Sequence, residues 1–217
     1  MSTRKVMIYS RFERFWHWTQ MALIVTLLFT GFGIHGFHRL ISIDLADRIH
    51  TVSAIGVMVL WLFAISWILT TGVWKQFMPT SQGLWRVVRF YSYGIFKGES
   101  HPFRKTYRRK LNPLQAVTYL ALKLILFPAI WLSGFAYLTY GLWERFISSG
   151  TAYETVALIH TAAAFAIVAF VTIHVYMLTT GHSFVGHVAP MITGFDDVDL
   201  SPEEEAYLEA DEPGHIR

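Results

Sequence analysis

Four long apolar runs place the strongest limit on what this chain can fold into. The runs cover residues 15–38, 49–74, 114–140 and 155–180. Three of them contain no Asp, Glu, Lys or Arg, and the third contains only Lys123. About 20 apolar residues are enough to cross a bilayer as a helix, and in lipid the backbone polar groups must be paired within the segment. We therefore predict an all-α integral membrane bundle of four transmembrane helices.

The composition agrees with a membrane protein and excludes several classes of site. The chain has 217 residues, of which 53% are hydrophobic and 15% charged, which is too apolar for an ordinary soluble domain. There is no cysteine, so disulfides, iron–sulfur clusters held by this chain and covalent haem attachment are excluded. The first run is too long for a cleaved signal peptide and no small-residue cleavage site follows it, so we expect it to remain as an anchor.

The basic residues predict the orientation. Thirteen Lys and Arg residues lie before the first run or between the second and third, against three in the other two loops. This bias predicts that both termini and the second loop are cytoplasmic, in a bacterial inner membrane. The same residues account for the pI of about 9.2. We expect them to contact anionic lipid headgroups and not nucleic acid. Within the second loop, residues 84–96 are predicted to form an interfacial helix.

Residues 1–195 are predicted to form the membrane domain. Residues 196–217 are an acidic tail, which we expect to be weakly ordered, with a possible short helix capped by Ser201.

Histidines are the main candidates for chemistry. His160 and His174 are fourteen residues apart in the fourth run, so they share one helix face at two depths about 21 Å apart. In the predicted topology His17 lies near the cytoplasmic end of the first run, and His50 near the outer end of the second. Depth therefore pairs His17 with His174, and His50 with His160.

Two such pairs predict two b-type haems, each with two axial imidazoles. Ionisable residues in a membrane are costly and usually functional, and neutral imidazole is a good ligand for iron. Glycines inside the first three runs, Gly31, Gly56 and Gly134, would let helices approach the porphyrin, although close helix packing explains them equally well. Interhelical hydrogen bonds and a metal-ion site are the alternatives for the histidines. A metal-ion site normally has its ligands at one depth and often includes carboxylates, which the runs lack.

Several short motifs resemble one family, the b-type cytochrome subunits of bacterial respiratory complexes within the cytochrome b561-like group. The similarity covers roughly residues 10–195 and includes the subunits of formate dehydrogenase, nickel–iron hydrogenase and thiosulfate reductase. The residues that carry it are RFERFWHW with His17, RIHTVSAIG with His50, KLNPLQ at 110–115, LIHTAAA with His160, IHVYM with His174, and MITG at 191–194.

The resemblance implies a cytoplasmic-side haem b on His17 and His174 and a periplasmic-side haem b on His50 and His160. It also implies a binding site for a quinone (menaquinone or ubiquinone) near the cytoplasmic-side haem, formed in part by Asn112 and Gln115. From the residues alone, Asn112 is also explained as a helix N-cap before Pro113, and Gln115 by interfacial polarity.

The expected function is electron transfer between the quinone pool and a periplasmic partner, such as an iron–sulfur protein, a hydrogenase or molybdoenzyme subunit, or a multihaem cytochrome c. A haem-free membrane anchor and a small metal-ion transporter are the alternatives. His35 and His38 are expected at the outer interface, and His182 and His187 at the inner surface. Lys123 is expected to snorkel to the cytoplasmic interface.

Overall fold

Four long helices dominate the computed structural model, which describes residues 2–99, 102–103, 110–147, 150–179 and 184–217. Each of these helices is long and apolar enough to cross a membrane. They are α1 (Arg11–Ile34), α2 (Ile43–Thr71), α4 (Pro113–Leu138) and α6 (Gly150–Thr179). The predicted all-α membrane bundle of four helices is confirmed.

Shorter elements connect the four helices and close the chain. The helices are α3 (Leu84–Ser92), α5 (Tyr140–Trp143), α7 (Phe184–Thr193) and α8 (Pro202–Asp211), and the strands are β1 (Ser2–Met7) and β2 (Phe195–Leu200). Short 3₁₀ turns cover Val73–Phe77, Gly94–Lys97 and Pro213–His215.

Helices α1 and α2 begin a few residues before the predicted runs, and polar residues cap both of them. Ser10 and Glu13 form a capping box at the start of α1, in which each side chain bonds the backbone N–H of the other. Ser42 caps α2 through the backbone N–H of Leu45. A hydropathy pattern does not register these turns, since they are helical but polar.

The bundle consists of two helical hairpins. α1 packs chiefly on α2, and the second half of α4 packs chiefly on α6. The hairpins meet in an aromatic cluster in which the Trp61 ring lies 4.6 Å from Phe127 and 5.7 Å from Trp16, measured between centroids. This cluster connects α1, α2 and α4.

A wider π-helical turn, Leu122–Leu126, interrupts α4 just before Pro128. Proline has no N–H and its ring crowds the carbonyl one turn earlier, so a local change of helical pitch accommodates it. The turn carries Lys123, whose Nζ lies 4.8 Å from the Phe77 ring centroid and 6.0 Å from that of Trp16. The side chain thus points toward the end of the bundle where α1 begins, which is the direction expected for snorkelling.

The second loop contains the helix expected at the membrane interface. α3 buries Val87 and Phe90 and packs against the start of α4, while Trp85 and Phe96 are exposed. Four of the basic residues on which the predicted orientation depends lie outside the described residues, namely Arg104, Lys105, Arg108 and Arg109.

The acidic tail differs from the expectation of weak order. β2 pairs antiparallel with β1, so that Lys5 is opposite Asp197, and α8 has the predicted Ser201 cap. Val6, Ile8, Val198, Leu200 and Leu208 form a buried core between these elements. Arg4 pairs with Glu205 at 2.7 Å, so the basic N-terminus neutralises part of the tail. The strand that pairs with the tail comes from the other end of the chain, so the composition of the tail alone does not reveal it.

Candidate functional site

Two pairs of histidines face each other inside the bundle, and they are the pairs predicted by depth. The ring centroids of His50 on α2 and His160 on α6 are 6.3 Å apart. Those of His17 on α1 and His174 on α6 are 6.5 Å apart. The helix α6 therefore contributes one imidazole to each pair.

These separations match what two imidazoles need to bind one metal atom from opposite sides. An imidazole nitrogen binds a first-row transition metal at about 2.0–2.1 Å, and the ring centroid lies roughly 1.1 Å behind that nitrogen, so two opposed ligands place their centroids about 6.3 Å apart. Direct hydrogen bonding between the rings would bring them closer. The side chains present therefore fit an iron porphyrin held by two axial histidines at each level.

Hydroxyl groups orient both rings of the His50–His160 pair. The Nδ1 atom of His50 lies 2.9 Å from the hydroxyl oxygen of Thr30 on α1. The Nδ1 atom of His160 lies 3.1 Å from the hydroxyl oxygen of Ser133 on α4. Because Nδ1 is engaged in each ring, Nε2 is the nitrogen available to bind a metal.

Two of the three predicted glycines contact this pair. A Cβ atom on Gly31 would lie 3.5 Å from Cε1 of His50, and one on Gly134 would lie 3.2 Å from Cε1 of His160. The third, Gly56, instead faces Leu23, which a Cβ atom would meet at 3.5 Å. Gly31 and Gly134 thus leave room beside the imidazoles, whereas Gly56 serves the packing of α1 on α2.

The His17–His174 pair is held differently. The Nδ1 atom of His174 lies 3.4 Å from the hydroxyl of Tyr119 on α4, and its ring stacks on Phe170 with centroids 5.9 Å apart. The Nδ1 atom of His17 is buried and has no hydrogen-bond partner among the described residues. The two pairs are therefore alike in spacing but unlike in the groups around them.

A buried ion pair lies one turn before His17. Nζ of Lys110 is 2.9 Å from Oε1 and 3.2 Å from Oε2 of Glu13, and both side chains are less than a tenth exposed. Lys110 also lies over the ring of Tyr9, 5.6 Å from its centroid. Burial raises the pKa of the Tyr9 hydroxyl, and Tyr119, Asp196 and Glu13 raise it further by charge repulsion. This cluster joins the start of α1 to the segment before α4.

The predicted quinone residues form a helix cap. The backbone N–H of Gln115 donates to Oδ1 of Asn112 at 2.8 Å, and the backbone N–H of Asn112 donates to Oε1 of Gln115 at 3.0 Å. The Asn112 side chain also hydrogen-bonds Tyr91, whose pKa is raised by burial and partly lowered again by that bond. The capping explanation of Asn112 therefore holds, and the Nε2 group of Gln115 donates to no acceptor among the described residues.

The MITG segment docks onto the start of α1. The indole N–H of Trp18 donates to the carbonyl of Met191 at 2.9 Å, and the guanidinium of Arg14 donates to the carbonyl of Ile192. Gly194 has a φ of +92°, and a Cβ atom there would lie 2.8 Å from the carbonyl oxygen of Tyr9. Only glycine fits this position without strain. Two motifs far apart in sequence thus fix the position of the helix that carries His17.

The remaining histidines lie outside the two pairs. Nε2 of His38 bonds the carbonyl of Phe29 at 2.8 Å, close to where α1 ends. His35 is the C-cap of α1, and His187 lies in α7. His101 and His182 are outside the described residues. Among the residues that are described, no three His, Asp or Glu side chains gather as a metal-ion site.

Sequence reasoning did not identify the residues that orient the imidazoles, namely Thr30, Ser133 and Tyr119, or the pair Glu13 and Lys110. One signal was present: a hydroxyl residue directly precedes each glycine that faces a histidine, as Thr30–Gly31 and Ser133–Gly134. Consecutive helix positions are 100° apart, so both can reach the same neighbouring ring.

Comparisons with known proteins agree with the resemblance found in the motifs. The family model described as prokaryotic cytochrome b561 matches residues 8–194. A curated protein of Escherichia coli (strain K12), named "Putative cytochrome YdhU", is 30% identical over 200 residues, which cover 88% of this chain and 74% of the relative. No solved structure matches the chain significantly.

Proposed function

Because this chain belongs to the prokaryotic cytochrome b561 family, we propose that it is a di-haem subunit that carries electrons across the membrane. Family membership makes it a multi-pass membrane cytochrome of b type that works in electron transfer. The proposal adds two haems, ligated by His17 and His174 and by His50 and His160. The observation that carries it is the spacing of two opposed imidazole pairs, at 6.5 and 6.3 Å.

When bound, haem supplies reversible one-electron chemistry, and the protein sets its potential by ligation, hydrogen bonding and burial. This chain's own residues supply the four imidazoles and the hydroxyl groups that contact them. His160 and His174 are fourteen residues apart on one helix, so the two levels lie about 21 Å apart along its axis. Apolar side chains, such as Phe170 between them, separate the two levels.

We place the His17–His174 level at the cytoplasmic face of a bacterial inner membrane, with both termini on that side. The support is the excess of basic residues in the N-terminal segment and second loop. The pairing of β1 with β2 also requires the two termini to lie on one side of the bundle.

The quinone site belongs, in this proposal, near the His17–His174 level. Gln115 supports it because its amide retains a donor that could reach a quinone carbonyl, whereas Asn112 acts by capping the helix. An apolar groove of about 260 Å³ lies between α4 and α6 one turn further along, and its wall includes Phe170, which stacks on His174. A lipid-soluble molecule could approach from this side. The periplasmic partner would exchange electrons at the His50–His160 level.

Haem content and ligand substitution test the proposal. The purified protein should show the reduced α-band of b-type haem and contain two haems per chain. His160→Ala and His174→Ala should each remove one haem, while His38→Ala, which changes an imidazole outside both pairs, should remove none. A colourless protein, or one that keeps both haems in the His160→Ala and His174→Ala variants, would contradict the proposal. A colourless protein would favour a haem-free anchor.

A further inference from the structure

Thr30 and Ser133 occupy equivalent places in the two helical hairpins. Each lies on the helix that packs against the helix bearing the histidine, and each hydroxyl contacts the Nδ1 atom of that histidine. Each is followed by the glycine whose open side faces the same ring. The same arrangement of a hydroxyl residue followed by a glycine therefore occurs on both sides of the His50–His160 centre.

Each hydroxyl proton has an acceptor in its own helix, which favours the imidazole as the donor in these hydrogen bonds. Oγ1 of Thr30 donates to the carbonyl of Thr26 at 2.8 Å, and Oγ of Ser133 donates to the carbonyl of Ala129 at 2.6 Å. A hydroxyl has one proton, so an oxygen that donates to a carbonyl of its own helix accepts from the imidazole. Both rings are therefore Nδ1–H tautomers, with the Nε2 lone pair directed into the bundle.

The His17–His174 centre lacks this arrangement. His17 has no partner for Nδ1 among the described residues, and the contact of His174 with the Tyr119 hydroxyl is long, at 3.4 Å. An imidazole that donates from Nδ1 carries more electron density on Nε2 and is a more basic ligand. A more basic ligand stabilises ferric over ferrous iron and lowers the potential.

We infer that Thr30 and Ser133 are positioning residues that fix the tautomer and orientation of His50 and His160 and make that centre the one of lower potential. An electron that arrives there then passes to the His17–His174 centre, which has the higher reduction potential. This inference rests on the proposed function, since it concerns the potentials of the two proposed haems.

The test is a redox titration followed by visible absorbance on the purified protein and its variants. Thr30→Val keeps the shape and removes the hydroxyl that contacts His50, Ser133→Ala removes the hydroxyl that contacts His160, and Thr30→Ser restores a hydroxyl. The backbone carbonyls of Leu27 and Ile130, which also hydrogen-bond His50 and His160, stay in every variant. Thr26→Val is the matched control, because the Thr26 hydroxyl, one turn away on the same helix, donates to the carbonyl of Ala22 and contacts neither histidine pair among the residues that the structure describes. His50→Ala, which removes one haem, identifies the midpoint that belongs to the His50–His160 centre.

We expect that midpoint to be the lower one, and to rise in Thr30→Val and in Ser133→Ala while the other stays in place. Loss of that haem from Thr30→Val but not from Thr30→Ser supports the inference equally. Unchanged midpoints, an equal shift in Thr26→Val, or assignment of the higher midpoint to this centre would overturn it. A wild-type protein with fewer than two haems overturns the proposed function as well, whereas two haems with unchanged midpoints overturn the inference alone.

Discussion

Breaking the buried ion pair between Glu13 and Lys110 should destabilise the bundle end that carries His17. Glu13→Gln is the informative change because glutamine keeps the oxygen that accepts from the backbone N–H of Ser10 at 2.8 Å. The helix cap is thus retained, while the charge that faces Lys110 is removed and the oxygen that Lys110 contacts at 2.9 Å becomes an amide NH2 group.

The expected loss follows from burial. Both side chains are less than a tenth exposed, so the substitution leaves an ammonium group buried without its counter-charge. Breaking a buried pair in this way costs about 3–5 kcal/mol. For a chain of about this size that corresponds to a fall in Tm of roughly 6–20 °C.

The assay is thermal unfolding of the purified protein in detergent, compared with two controls. Asp44→Asn breaks the pair with Arg48, which is 3.2 Å long but about three-quarters exposed, and should cost less than about 1 kcal/mol. Glu13→Gln combined with Lys110→Met removes both charges and should recover most of the loss. A Glu13→Gln variant as stable as Asp44→Asn, or a double variant no better than the single one, would refute the reasoning.

Two further predictions concern single side chains. Gly134→Ala would place a Cβ atom 3.2 Å from the ring of His160, so haem should be lost at that level. Gly56→Ala, whose Cβ atom would meet Leu23 at 3.5 Å, should retain both haems. Equal haem contents in the two variants would contradict this prediction. The raised pKa of Tyr9 predicts stability that is fully present below the ordinary tyrosine pKa of about 10 and lost as pH rises above it. Between neutral pH and pH values above about 10, the Tyr9→Phe variant should therefore lose less stability than the wild-type protein. The measurement is the free energy of unfolding at a series of pH values. An identical loss in both proteins would show that the Tyr9 proton is not involved.

Both histidine pairs are predictable from the sequence because helix rise and rotation are fixed quantities. Fourteen residues on one helix set the relation between His160 and His174, and the order of entry into the membrane set the levels of His17 and His50. The glycines were predicted less well. Gly31, Gly56 and Gly134 look alike in sequence, but whether a glycine faces an imidazole or a leucine depends on how each helix is rotated against its neighbour.

The tail shows a different reason for a missed element. Val198 and Leu200 alternate with acidic residues, which is a strand pattern, yet six residues make a strand only if another strand pairs with them. The partner is at the other end of the chain, where Arg4 and Lys5 also bring compensating charge. The high acidic content of the tail obscured that pattern.

The sequence by itself determined the four membrane helices, the membrane environment and the level of the bundle at which each of the four imidazoles lies. Hydropathy and helical periodicity, on which these depend, are properties of contiguous residues. Only the tertiary structure decided which groups orient those imidazoles and which charges are paired. Thr30 is 20 residues from His50, Ser133 is 27 from His160, and Glu13 is 97 from Lys110. Contacts between separate helices depend on the angle and rotation at which the helices pack, and packing of the whole bundle sets both.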